Sequence, residues 1–257
     1  MAHDGGVAYR QFAEEFDPRF KVFHELMGRK VREVLLVSTP YDAWSMEEEG
    51  RLAEELVREY QGLNLSSPPR LRWASGEAEA VAAMAKHQFD LAILVSQVAD
   101  PDGQDCAGKL RQLRPELPII HLTHHGRFDP AGRLGRLPVT RALERTFVWR
   151  GNRQLFLALI KSVEDELNAE HDTGVAGIRV IILVEDSPEH LSSLLPILYR
   201  EIVFQTHALI AEGLNEDHRL LAMRARPKIL LAADYEGAMA LYAKYEPCVL
   251  GILSDVR

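Results

Sequence analysis

Glu185, Asp186 and Asp255 are the side chains in this 257-residue chain whose types and spacing best suit chemistry. Glu185 and Asp186 close the apolar run of residues 178–184, and Asp255 closes a second apolar run, residues 248–254. If the two runs are neighbouring strands of one parallel sheet, all three carboxylates meet at the carboxyl edge, where open α/β sheets hold their ligands. Carboxylates that close repel, and each ionises at the expense of the others. A hard divalent cation held by oxygen ligands removes that cost, and Mg²⁺ is the usual choice where phosphate is handled. The expected metal ligands are therefore Glu185, Asp186 and Asp255, with Mg²⁺ as cofactor. The plainer alternative for Glu185 and Asp186 is a helix cap after a strand, and Asp255 draws its weight from that pair.

The elements that would position these acids can be read around them. Residues 180–184 are aliphatic without alternation, the pattern of a strand buried on both faces of a parallel sheet. Pro188 suits a first helical turn that Asp186 or Ser187 can cap. Helix is expected over most of 189–225, with a kink or break at Pro196 and a turn at residues 215–217 inside a helical insertion. Residues 226–232 read as a strand, 234–247 as a helix and 248–257 as a third strand.

Upstream, strand and helix patterns alternate five times across residues 31–170. Strands are expected at 31–38, 70–75, 89–96, 117–125 and 146–150. Helices are expected at 46–62, 76–88, 106–115, a short piece ending near Arg145, and 152–171. Turn-rich loops are expected at 64–70 and 97–105, the latter carrying Asp100, Asp102 and Asp105. Such alternation predicts an α/β fold built on a doubly wound parallel sheet, consistent with the flavodoxin-like order 2-1-3-4-5. The expected division is an N-terminal helical segment (1–30), a first α/β domain (31–170), a linker (171–177) and a second, incomplete α/β domain (178–257).

Composition bounds the function. Hydrophobic residues make up 47% and charged residues 26%, ordinary for a globular chain with sizeable cores. The net charge of −8 disfavours a general nucleic-acid binder, which needs a cationic surplus. No window is long and apolar enough to span a bilayer, and the N-terminus has no secretory pattern, so a cytoplasmic location is expected. Cys106 and Cys248 fit no metal-ligand spacing. His121, His124 and His125 lack a supporting acid or Cys spacing and read as loop histidines. Glu47 to Glu49 suit a helix first turn, the three tryptophans read as packing residues, and the arginines from Arg111 to Arg136 as a solvated face.

Taken together, the acid pair after a strand, the helix and strand that follow, and Asp255 resemble the receiver domain of two-component response regulators, a CheY-like, flavodoxin-like fold. There the acid pair after the first strand binds Mg²⁺ and an aspartate after the third accepts a phosphoryl group. The resemblance implies that Asp255 is the phospho-acceptor, the catalytic residue. It also implies that the first domain is a pseudo-receiver: Ser38 and Thr39 stand at the acid-pair positions and Val95 with Ser96 at the acceptor position. Thr123 keeps the fourth-strand hydroxyl, and Arg150 replaces the fifth-strand lysine. The second receiver shows only three strands, so the chain is expected to be a fragment of a longer protein.

The segments FKVFHELM…VREVLLVSTPYDAW and HRLLAMRARPKILLA…VLGILSDVR, with the degenerate first receiver, further resemble the N-terminal regulatory region of bacterial phosphoenolpyruvate synthase-like proteins that carry a PEP/pyruvate-binding domain. The resemblances imply a phosphorelay module, phosphorylated by a sensor histidine kinase or another phosphodonor. It would regulate a downstream catalytic domain in the same polypeptide, with homodimerisation as a further interaction and no nucleic-acid or membrane partner. Two alternatives stand beside it: a phosphorylation-independent interaction or dimerisation scaffold, and the regulatory head of a full-length ATP-dependent, PEP synthase-like phosphotransferase.

Overall fold

The computed structural model describes residues 24–46, 52–62, 68–96, 101–123, 144–152, 154–209 and 223–255. Five strands form one parallel sheet: β1 (Glu33–Val37), β2 (Arg70–Ala74), β3 (Leu91–Ser96), β4 (Ile119–Thr123) and β5 (Glu144–Val148), in the order β2-β1-β3-β4-β5. That is the order expected from the alternation. The helices among them are α1 (Pro40–Trp44), α2 (Leu52–Gly62), α3 (Glu77–Lys86) and α4 (Pro101–Leu113). Successive side chains of β1 go to opposite faces, as pleating requires. Val34 and Leu36 join the core with Leu52, Leu56 and Tyr60 of α2, while Leu35 and Val37 join the core with Ala80, Met84 and Leu110 of α3 and α4.

A second parallel sheet of three strands follows: β6 (Val180–Val184), β7 (Lys228–Ala232) and β8 (Val249–Ser254), in the order β7-β6-β8. Its helices are α6 (Pro188–Leu209) and α7 (Tyr235–Tyr245). Asp234 caps α7 by accepting the Gly237 N–H at 2.8 Å.

Between the sheets runs α5 (Gln154–Ala176), 23 residues and so about 35 Å of helix. Of residues 171–177, expected as a linker, 171–176 are instead its last turns, and Gly177 in the left-handed region (φ 61°) follows its end. The reason is tertiary. Asp172 is fully buried and pairs with the equally buried Lys228 at 2.9 Å, which holds this weakly helical stretch in place. One continuous core then includes Leu155, Phe156 and Leu159 of α5, Leu191, Leu195 and Tyr199 of α6, and Ile229 and Leu231 of β7.

The polar face of α5 also holds the chain that precedes β1. Asp172 accepts the Met27 N–H, Asn168 the Arg29 N–H at 2.8 Å and Glu164 the Val31 N–H at 3.1 Å. Residues 1–23 of the expected N-terminal helical segment, Glu47 to Glu49, and residues 215–217 lie outside the described residues.

Several local expectations are corrected. The stretch before α2 is not all loop, because Thr39 accepts the Asp42 N–H and Pro40 sits at the first helical position, together starting α1. Residues 101–105 are helical rather than loop, with Pro101 opening α4. Residues 144 and 145 begin β5 instead of ending a helix. α6 runs through Pro196 to Leu209 without a break.

Candidate functional site

The two apolar runs that end in the acids are neighbours, the condition on which the convergence of the acids rested. β6 pairs with β8 in parallel, and Val184 lies opposite Ser254, so Glu185 and Asp255 follow adjacent strand ends. Carboxylate oxygens of Glu185, Asp186 and Asp255 all lie within 4.8 Å of one another. Glu185 is buried, whereas Asp186 and Asp255 are exposed. The Glu185 backbone is fixed by its N–H donating to the Ala232 carbonyl at 3.0 Å, which extends the β6–β7 ladder by one bond. Its carboxylate accepts the Ser187 N–H at 2.9 Å and stands 3.7 Å from His190 Nδ1. Ser187 in turn starts α6: the Leu191 N–H reaches its carbonyl at 2.9 Å, and Pro188 opens the helix. The acid-bearing loop is thus tied to a strand on one side and a helix on the other.

Three oxygen donors of this spacing fit a hard divalent cation that keeps part of its hydration shell. Glu185 would be the fixed ligand, held by Ser187. The exposed pair Asp186 and Asp255 would close on the ion from the solvent side.

The corresponding edge of the first sheet is built differently. Ser38 is buried and its Oγ accepts the Trp73 indole N–H at 2.9 Å. Thr39 is spent on capping α1. Val95 and Thr123 are buried at the ends of β3 and β4. Arg150 turns toward the second sheet and pairs with Glu189, in the first turn of α6, at 2.6 Å. Beside this edge, Leu36, Pro40, Trp44, Met46, Leu71 and Trp73 line an apolar cleft of about 430 Å³. Trp44 and Trp73, read as packing residues, are half exposed there; Trp149 does pack, edge-on to Phe156 at 5.2 Å. His121 is a buried residue inside β4, not a loop histidine, while His124 and His125 fall outside the described residues. Asp100 and the side chains of Asp102 and Asp105 fall outside them as well.

Sequence reasoning missed the polar groups that join the two sheets. Asp165 on α5 accepts hydrogen bonds from Arg226, from the Tyr199 hydroxyl at 2.8 Å and from the Ile229 N–H at 3.0 Å. Burial, with the Asp165 charge second, pushes the Tyr199 phenol well above its ordinary range. Burial likewise lowers Lys228 below the usual lysine range. Arg145 on β5 donates to the Leu231 carbonyl of β7 at 2.6 Å, and Ser192 on α6 accepts the Val148 N–H of β5 at 2.8 Å. The one available signal was Lys228 itself, a lone cation opening a buried strand run.

No helix among the described residues is long and apolar enough to cross a membrane. Compared with known proteins, the chain matches no family model and no curated protein.

Proposed function

We propose that the second sheet is a receiver-type phosphoryl acceptor of flavodoxin-like, CheY-like topology, with Asp255 as the acceptor and Glu185, Asp186 and Asp255 as ligands of Mg²⁺. The observation that carries this reading is the convergence of three carboxylates at the ends of β6 and β8. Capping alone would account for Glu185 and Asp186. It would not account for an aspartate from another strand brought within 4.8 Å of both.

In this reading an Asp255 carboxylate oxygen attacks a phosphodonor. The new O–P bond forms as the donor's bond to phosphorus breaks, and the leaving group keeps that electron pair. Glu185, Asp186 and Asp255 would hold Mg²⁺, which would supply charge neutralisation for the transferred group. The chain itself holds Glu185 through the Ser187 N–H, keeps Asp255 open to solvent for an incoming donor, and keeps Asp186 within reach of both. The first sheet, without acids at the matching strand ends, serves as a pseudo-receiver. The pair acts as a regulatory module for a PEP-utilising catalytic domain in a longer polypeptide, with a histidine kinase or small phosphodonor as its source of phosphate and the cytoplasm as its compartment.

A scaffold role without phosphorylation is the second reading. It is favoured by Arg150, which is committed to Glu189 in the other half of the molecule and so is tied to the junction between the sheets.

Incubation with a small phosphodonor and Mg²⁺, followed by intact mass measurement, separates the two. A mass gain of one phosphoryl group that vanishes in Asp255→Asn and without Mg²⁺ supports the acceptor. An unmodified chain, or modification that survives Asp255→Asn, rejects it and leaves the scaffold.

A further inference from the structure

Ser187 alone separates the acid pair from α6. Glu185 and Asp186 follow β6, and Pro188 is already the first residue of the helix. Whatever fixes the first turn of α6 therefore fixes the pair. Within the second half, the Ser187 carbonyl accepts the Leu191 N–H, and the Ser187 N–H donates to the Glu185 carboxylate.

Further anchors of that turn come from the first sheet. The buried Ser192 hydroxyl donates to the Pro188 carbonyl at 2.5 Å and accepts the Val148 N–H of β5 at 2.8 Å. A hydroxyl has one hydrogen to give and lone pairs to receive, so it makes both bonds at once. Glu189, the next residue of the turn, pairs with Arg150, just beyond β5, at 2.6 Å. Behind them Leu191 and Leu195 share a core with Phe147 of β5 and Phe156 of α5. The exposed Arg150–Glu189 pair contributes little by itself. The Ser192 bond is the stronger tie, because its loss strands a buried donor.

We propose that the first sheet positions the acid site of the second through Ser192, and that a cation bound at that site in turn holds Ser192 against Val148. Ser192 and Arg150 are positioning residues that act through the first turn of α6. The proposal rests on the reading of Glu185, Asp186 and Asp255 as ligands of Mg²⁺. That ion demands near-ideal ligand geometry, so a first turn free to shift weakens its binding. Linkage makes the effect reciprocal: the factor by which an open junction weakens the ion is the factor by which the bound ion closes the junction. The first sheet, with Ser38, Thr39, Val95 and Ser96 where acids would stand, thus frames a site that it does not itself contain.

Calorimetric titration of the full chain with MgCl₂ tests this, together with amide hydrogen exchange with and without Mg²⁺. Ser192→Ala should bind Mg²⁺ about fivefold or more weakly than the parent. Arg150→Met, at the surface, should bind it about twofold more weakly. Tyr199→Phe also removes a buried hydrogen bond of α6, one made to α5 further along the helix, and should leave the affinity unchanged. In the parent, saturating Mg²⁺ should slow exchange at Val148 by the same factor that Ser192→Ala loses in affinity, and slow it much less at Leu35 and Ile93 in the middle of the first sheet. If Ser192→Ala binds Mg²⁺ as the parent does, the positioning role falls and the metal site stands. Equal weakening in Tyr199→Phe, or protection spread evenly over the first sheet, reports a general change in stability and overturns the proposal as well. A parent that binds no Mg²⁺ overturns it together with the reading beneath it.

Discussion

Arg226 and Asp165 form a two-pronged ion pair, Nη2 to Oδ1 at 2.7 Å and Nη1 to Oδ2 at 2.9 Å, with both side chains closed off from solvent. Asp165 belongs to the long helix shared by the two sheets and Arg226 to the segment leading into β7, so the pair locks the second sheet onto the first. Removing one member leaves the other charge buried and unpaired, which costs far more than the pair's net contribution. Asp165→Ala should therefore lower unfolding stability by about 3–5 kcal/mol in urea denaturation. Tyr199→Phe, which removes one of the four hydrogen bonds to Asp165, should cost only about 1–2 kcal/mol. Equal losses in the two variants would show that Asp165 matters for packing rather than charge.

Glu166, next in sequence, gives a pH dependence. Burial outweighs the attraction of Arg145 and raises its carboxyl from 4.5 to about 7. Between those values the folded chain holds a proton that the unfolded chain has released, so its stability falls as pH rises through that window. Above about pH 7 both forms are ionised and the penalty is constant. Glu166→Gln should be more stable than the parent at pH 8, by on the order of 1–3 kcal/mol, and close to it at pH 4.5. Thermal denaturation at the two pH values checks this, and a pH-independent difference would contradict it.

The acid trio predicts a metal-linked stability. A ligand bound only by the folded chain raises stability with its concentration over its dissociation constant, by about 2.7 kcal/mol at a hundredfold excess. Mg²⁺ at millimolar concentration should raise the melting temperature of the parent chain. It should do much less for Asp186→Asn with Asp255→Asn, which keeps Glu185 and its bond to Ser187. Without Mg²⁺ that double variant should melt no lower than the parent, because a mutual repulsion has been removed. A parent chain indifferent to Mg²⁺ would count against the metal site.

Ser192→Ala tests the junction between β5 and α6. The Ser192 hydroxyl accepts the buried Val148 N–H at 2.8 Å while donating to the Pro188 carbonyl at 2.5 Å. Its loss strands a buried donor, at about 1–3 kcal/mol. Amide hydrogen exchange at Val148 should accelerate in step with that loss, and unchanged exchange there would mean that the hydroxyl is not the cap.

The strands were legible because parallel strands buried on both faces must be near-continuous aliphatic runs, and residues 180–184 and 229–232 are such runs. The three acids were legible for the same reason: each ends or follows a run whose direction the alternation of strand and helix had set. What the sequence could not disclose is the fusion of the two halves. Residues 171–176 carry Thr and Gly and look like a linker, and only the burial of Asp172 against Lys228 makes them helix. Trp44 and Trp73 are apolar by type, yet in the folded chain both stand half exposed at an apolar cleft. Periodicity records which faces of an element are apolar, a local property. Which polar side chain meets which across more than fifty residues, as Asp165 meets Arg226, depends on how two sheets are set against one helix, and the tertiary structure alone decides that.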